Sequence, residues 1–273
     1  MIQNASGPGK PGPFLFLANI SIVMSLRPSD ISPDIISELN AGTREAKNLA
    51  EGLAVDLAQL LRVSVPGLAE EIYADIESQA ERGITRRMES CGQVLLNHFG
   101  IDGLAELTKH SSDTVRGWVC FALGLAPKLK LKERLDLIRP LANDSHFGVR
   151  EWAWLPLRVH LAKNVSHSVS ALKPWTKEKS AYFRRFAVES TRPRGVWSVH
   201  IAQLKQNPAI GLALLEPLKS DPEVYVQDSV SNWLNDAAKS QPGWVREVCE
   251  RWMDESKKES TKRICLRAMR SMK

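Results

Sequence analysis

Chemistry in this chain is concentrated in one charged window. Between Lys173 and Lys205 stand eight basic residues, Lys173, Lys177, Lys179, Arg184, Arg185, Arg192, Arg194 and Lys205, opposed only by Glu178 and Glu189. The window carries a net +6, the same as the excess of the whole chain, 37 Lys+Arg against 31 Asp+Glu. From Asp30 to Glu89 the balance reverses, with 6 basic and 12 acidic residues. A chain polarised in this way calls for an anionic partner at one region. Arg192-Pro193-Arg194 suits phosphates, because the proline stops helix propagation and sets two guanidinium forks on a stiff turn. Other chemistries find less support. His98, His110, His146, His160, His167 and His200 show no metal-ligand spacing on one helix face. Cys91, Cys120, Cys249 and Cys265 form no C-x-x-C pair and sit in apolar helical contexts, which predicts buried free thiols in a reducing compartment. No Gly-rich phosphate loop and no Ser/His/Asp order stands out, so neither nucleotide hydrolysis nor acyl transfer is expected. Neither a metal nor a cofactor is called for.

Elements of one kind must position these residues. The chain has 273 residues, 43% hydrophobic and 25% charged, which excludes a disordered, collagen-like or polytopic membrane protein. Apolar residues recur at three and four from Ala46 to Leu61, predicting one amphipathic helix stopped by Pro66-Gly67. Helical segments follow: 68–82, 85–98, 104–110, 114–125, 133–141, 147–162, 183–190, 210–218, 224–238 and 243–254. No stretch alternates with period two, so the fold class is all-α. The segments repeat. Asp113-Thr114-Val115-Arg116-Gly117-Trp118 aligns with Phe147-Gly148-Val149-Arg150-Glu151-Trp152, then with Tyr182-Phe183-Arg184-Arg185-Phe186 and Tyr225-Val226-Gln227-Asp228. The residue before each Arg or Gln falls at 115, 149, 183 and 226. Repeats of this length with two helices each predict a HEAT-like α-solenoid with a concave face. Residues 1–28, with Ser6-Gly7-Pro8-Gly9 and an apolar run too short to span a bilayer, read as a disordered or non-native extension; residues 29–273 form the folded domain.

Three stretches narrow the function. They are Phe183-Arg184-Arg185-Phe186-Ala187-Val188-Glu189-Ser190-Thr191-Arg192-Pro193-Arg194-Gly195-Val196-Trp197, Val224 to Asp236 with Pro242 and Trp244 beyond, and Glu38 to Thr43 with Lys47 to Glu51 behind it. Together, from about Ser29 onward, they resemble the AlkC branch of the DNA alkylation-repair proteins, HEAT-like-repeat DNA glycosylases related to AlkD. The resemblance implies excision of N-alkylated bases such as 3-methyladenine from duplex DNA, without a base-flipping pocket, by a cytoplasmic monomer that meets the nucleoid when on DNA. The family's catalytic acids fall at Glu151, Glu189 and Asp236. Arg150, Arg184, Arg185, Arg192 and Arg194 flank them as expected DNA contacts, with Trp154, Trp197 and Trp233 as aromatic ones. Measured from the repeat anchors, the acids stand at +2, +6 and +10, so stacking in register lines them up in a diagonal row. Cleavage of a glycosidic bond develops positive charge on the sugar, which fixed carboxylates stabilise while one orients water. A methylated purine is already cationic and leaves neutral, so no general acid is required. The alternative is a catalytically silent HEAT-like scaffold that binds DNA or protein.

Overall fold

The computed structural model describes residues 30–195 and 198–272; the expected extension, 1–28, and Trp197 lie outside the described residues. The described residues fold into helices α1 (Pro33–Asn40), α2 (Leu49–Ala54), α3 (Leu57–Ser64), α4 (Glu70–Ser78), α5 (Ile84–Leu107), α6 (Asp113–Leu125), α7 (Leu131–Ala142) and α8 (Phe147–Trp154). They continue with α9 (Arg158–Leu161), α10 (Val165–Leu172), α11 (Ala181–Glu189), α12 (Ala202–Gln206), α13 (Leu212–Leu215), α14 (Val224–Ala238), α15 (Pro242–Glu255) and α16 (Glu259–Ala268). Short 3-10 turns join some of them, and no strand occurs among the described residues. One layer runs α5, α6, α8, α11, α14, α16, each against the next. In the second layer α7 and α15 each bridge neighbouring helices of the first, while α10 packs against α13 and α13 against α11. This is an all-α helical repeat solenoid.

Two expected helices are broken, each for a local reason. The periodic run 46–61 divides at Val55, because the Asp56 carboxylate accepts from the backbone N–H of Ala58 and Gln59 and restarts the chain as α3. The run 147–162 divides after Trp154, where Pro156 supplies no N–H, and Gly124 leaves room for the proline against α6. Gly100, at φ 61°, turns the chain sharply within α5, near the expected break between 98 and 104.

The repeat has a physical basis at its Arg/Gln position. Arg116 Nη1 donates to the carbonyls of His110 (2.6 Å) and Ser111 (3.3 Å). Arg150 does the same to Asp144 (2.6 Å) and Ser145 (2.8 Å), and Arg184 to Glu178 (2.9 Å) and Lys179 (2.8 Å). Gln227 Nε2 closes the series on Asp221 (2.9 Å) and Pro222 (3.4 Å). Each side chain thus reaches back six and five residues to the loop that launches its own helix, giving that loop's carbonyls a donor and fixing its path. Arg116 also forks onto Asp144, and Arg184 onto Asp221, which stitches one repeat to the next. Glutamine serves at 227 because its amide is a sufficient donor for two carbonyls.

The core is continuous. Trp118, Trp233 and Trp252 are fully enclosed, and the four cysteines are buried and free. Among the described residues no helix is long and apolar enough to cross a membrane.

Candidate active site

The three predicted acids come from three consecutive helices of the first layer. Glu151 lies in the second turn of α8, Glu189 ends α11, and Asp236 stands in the last turn of α14. They do not form a bare cluster of carboxylates; guanidinium groups alternate with them. Arg185 Nη2 contacts Glu151 Oε1 at 2.6 Å and lies 3.8 Å from Glu189 Oε2. Arg192 Nη1 reaches Glu189 Oε1 at 2.7 Å, and its Nε reaches Asp236 Oδ2 at 2.9 Å. Lys239 Nζ stands 3.6 Å from Asp236 Oδ1. The row therefore reads Glu151, Arg185, Glu189, Arg192, Asp236, Lys239, anion and cation in turn across the seam of three helices.

Helix periodicity explains the order. On α11, Arg185 and Glu189 are one turn apart, and Arg192 follows in the turn just beyond the helix. On α14, Tyr225, Ser229, Asn232 and Asp236 lie along one stripe. Tyr225 meets Arg185, Ser229 donates its hydroxyl to Glu189 Oε2, and Asp236 meets Arg192. The two helices thus match side chain for side chain. On α8, the indole N–H of Trp154 donates to Glu151 Oε2 at 3.0 Å, so that both oxygens of Glu151 are held.

Burial sets the electrostatics. Glu189 is 6% exposed and Asp236 3%, whereas the Glu151 side chain keeps 30% of its surface in solvent. Burial alone would raise the Glu189 carboxyl, but Arg192, Arg185 and the Ser229 hydroxyl together outweigh it and hold it at about 2. Arg185 and Arg192, although desolvated, are raised above the ordinary guanidinium value by the acids beside them. Glu189 is consequently a permanent anion at neutral pH.

Arg158 is the support that sequence reasoning missed. It is fully buried, donates Nη1 to the Ser190 carbonyl (3.1 Å), and donates Nη2 to those of Arg192 (2.8 Å) and Val199 (2.9 Å). Desolvation lowers it to about 10. It ties both ends of the loop bearing Arg192-Pro193-Arg194, and a Cβ on Gly195 would fall 2.9 Å from its Cζ. The available signal was an arginine inside the apolar run Leu155 to Leu161.

The expected DNA contacts divide. Arg185 and Arg192 belong to the row, and Arg194 lies at its edge, donating to the Asp236 carbonyl (3.3 Å) and Ser240 Oγ (2.7 Å). Arg184 is corrected from phosphate contact to loop clamp, since Nε, Nη1 and Nη2 all donate within the protein. Arg150 is likewise a clamp, because the backbone of its own loop takes Nη1 and the Tyr225 hydroxyl takes Nε at 3.4 Å. Trp233 is corrected to core: it is 0% exposed, with its N–H on the Thr191 carbonyl at 3.0 Å. Trp154 is buried and orients Glu151 instead of facing outward. Ser229, Tyr225, Tyr182 and Lys239 complete the site beyond the predicted set.

The fold and row define a helical repeat protein with an ion-paired carboxylate seam. Residues 149–271 match the model of the DNA alkylation repair enzyme family. That stretch includes every residue of the row. Over 117 residues, 43% of this chain, the sequence is 34% identical to the uncharacterised protein YhaZ of Bacillus subtilis (strain 168). The match covers 32% of YhaZ, so the chain spans about a third of the curated relative it matches. The fold is similar to that of the Pseudomonas fluorescens alkylpurine DNA glycosylase AlkC, solved bound to DNA containing an abasic site analog. There the TM-score is 0.65 at 22% identity, over 89% of this chain and 65% of that one. It is also similar to smu.31 from Streptococcus mutans UA159, with TM-score 0.57 at 21% identity over 75% and 98% of the two chains.

Proposed function

We propose that this protein is a DNA glycosylase that hydrolyses the N-glycosidic bond of cationic N-alkylated bases, 3-methyladenine among them, in duplex DNA. The observation that carries the reading is the alternating row from Glu151 to Asp236, which falls wholly within the DNA alkylation repair stretch. In the proposed reaction the C1′–N bond breaks and its electron pair goes to the base, which leaves neutral. The sugar carries the developing positive charge, and water adds its hydroxyl to C1′ and releases its proton to bulk solvent. Fixed anions are what this path needs, and Glu189, held at about 2, stays one throughout the physiological range. Glu151, the most exposed of the three, is assigned the contact with sugar or water. Glu189 and Asp236 supply the field behind it.

The competing reading, a silent DNA- or protein-binding scaffold, draws on the closed ion pairs of Glu189 and Asp236. Methylated duplex DNA with mass-spectrometric detection of released bases separates the two. Glu151→Gln and Asp236→Asn are expected to slow single-turnover release by about 10²- to 10³-fold while duplex affinity holds or rises. Cationic bases should be released and neutral 1,N6-ethenoadenine retained. Release unchanged in both variants, or equal for neutral and cationic bases, favours the scaffold.

A further inference from the structure

Tyr225 lies outside the acids and arginines considered so far, yet two guanidinium groups converge on it. The Arg185 guanidinium sits 4.4 Å from the centre of its ring, and that of Arg150 5.4 Å. Arg150 also lies 4.0 Å over Tyr182, whose ring meets Tyr225 edge-to-face at 6.0 Å. Arg150 cannot drift, because the Asp144 and Ser145 carbonyls hold Nη1 and the Tyr225 hydroxyl accepts from Nε. Arg185 has no such backbone clamp. Its recorded anionic contacts, to Glu151 and Glu189, both use Nη2. A largely buried guanidinium held by its acids through Nη2 alone is not fixed in its plane by them, and the Tyr225 ring face lies against it.

We propose that Tyr225 is a positioning residue: its ring face fixes Arg185, and through Arg185 it sets the place of the Glu151 carboxylate. The proposal rests on the glycosylase reading for its consequence but not for its geometry. The ring also separates two like charges, Arg150 and Arg185, with a surface attractive to both. It links the α8 clamp to the catalytic row, so that the first turn of α14 sets the α8–α11 seam while its last turn holds Asp236. The required feature is the aromatic face; the hydroxyl serves Arg150 alone.

Two variants test this. Tyr225→Phe keeps the face and Tyr225→Leu removes it. Nitrogen-15 NMR of the Arg185 side chain should show a ring-current-shifted Nε–H in the wild type and in Tyr225→Phe, and its collapse toward the free-arginine position in Tyr225→Leu. Single-turnover release of a methylated base should fall about tenfold in Tyr225→Leu and stay near wild type in Tyr225→Phe, with duplex affinity little changed in both. An Arg185 signal insensitive to Tyr225→Leu would overturn the positioning role whether or not the wild type releases bases. A wild type that releases nothing, with the NMR contrast intact, would overturn the glycosylase reading and leave the positioning contact in place. Equal losses in Tyr225→Phe and Tyr225→Leu would move the role from the ring to the hydroxyl and so refute the proposal.

Discussion

Glu189→Gln is the perturbation whose size the structure determines best. The carboxyl titrates at about 2 in the fold against an ordinary 4.5. That separation corresponds to on the order of 3 kcal/mol of native stability. Because the folded value lies below the unfolded one, the unfolded chain takes up the proton first. The stabilisation is therefore complete above about pH 4.5 and is lost as the pH falls toward 2. Glutamine keeps the shape and an acceptor for Ser229 but gives up the charge facing Arg185 and Arg192. At pH 7 the variant should melt about 6–12 °C below the wild type. Denaturant unfolding at pH 7, 5, 4 and 3 should show the gap narrowing below about pH 4.5, where the unfolded glutamate takes up a proton that the folded carboxylate, held at about 2, does not. The other carboxylates are common to both proteins and largely cancel in the difference. A gap constant from pH 7 to pH 3, or no gap at pH 7, would refute the view that Arg185 and Arg192 hold Glu189 as a buried anion.

The two arginines of Arg192-Pro193-Arg194 should separate cleanly. Arg192→Ala leaves Glu189 and Asp236 buried without their shared partner, so melting should reveal a loss of about 3–5 kcal/mol. Arg194→Ala should leave melting nearly unchanged and lower the slope of log duplex affinity against log salt by about 0.9, as one phosphate contact is lost; an unchanged slope would assign Arg194 to the protein's own contacts with Ser240. Arg158→Met removes a fork from three carbonyls and should cost about 3 kcal/mol. Hydrogen exchange should locate that loss at the Ile201 amide, which closes the loop on the Pro193 carbonyl at 3.1 Å, and spare α6.

The repeat was legible because its anchor is chemical as well as periodic. An Arg or Gln recurs at 116, 150, 184 and 227 since each loop presents two carbonyls that some side chain must satisfy. The same fact hides which arginines serve the fold and which face outward. A string of arginines in a basic window looks like a phosphate track, and charge counting cannot tell Arg184, with three nitrogens donated inward, from Arg194 at the rim. Offsets of four placed the acids in a diagonal row with arginines at its flanks, but not which of those arginines interleave it. Which oxygen faces which guanidinium depends on the register of α11 against α14, a tertiary property. Trp233 failed for a related reason: its indole N–H reaches a buried carbonyl, that of Thr191, 42 positions away in the chain, so its polarity carried no sign of exposure. The helix breaks at Asp56 and Pro156 were present in the residue types and were overridden by apolar periodicity.

On the proposed reading this wall receives phosphates and should avoid carboxylates, yet three stand here in a line. Pairing resolves the conflict. Arg185 and Arg192 each serve two acids, and Lys239 a third, so the seam as a whole presents little net negative charge to an approaching backbone. At the shorter range of a bond being cleaved the compensation is incomplete, because the guanidinium groups lie between the acids and not in front of them. Glu151, with nearly a third of its side chain in solvent, is the point where that local field can be felt from outside. A site of this kind stabilises positive charge without storing a proton to donate. Under the glycosylase proposal its selectivity follows from the substrate's own charge: a base that is already cationic can leave with the electron pair of the broken bond, and a neutral base finds no acid to protonate it. The ion pairs that argue at first for an inert scaffold are, on this account, what allows permanent anions to persist in a surface built for DNA.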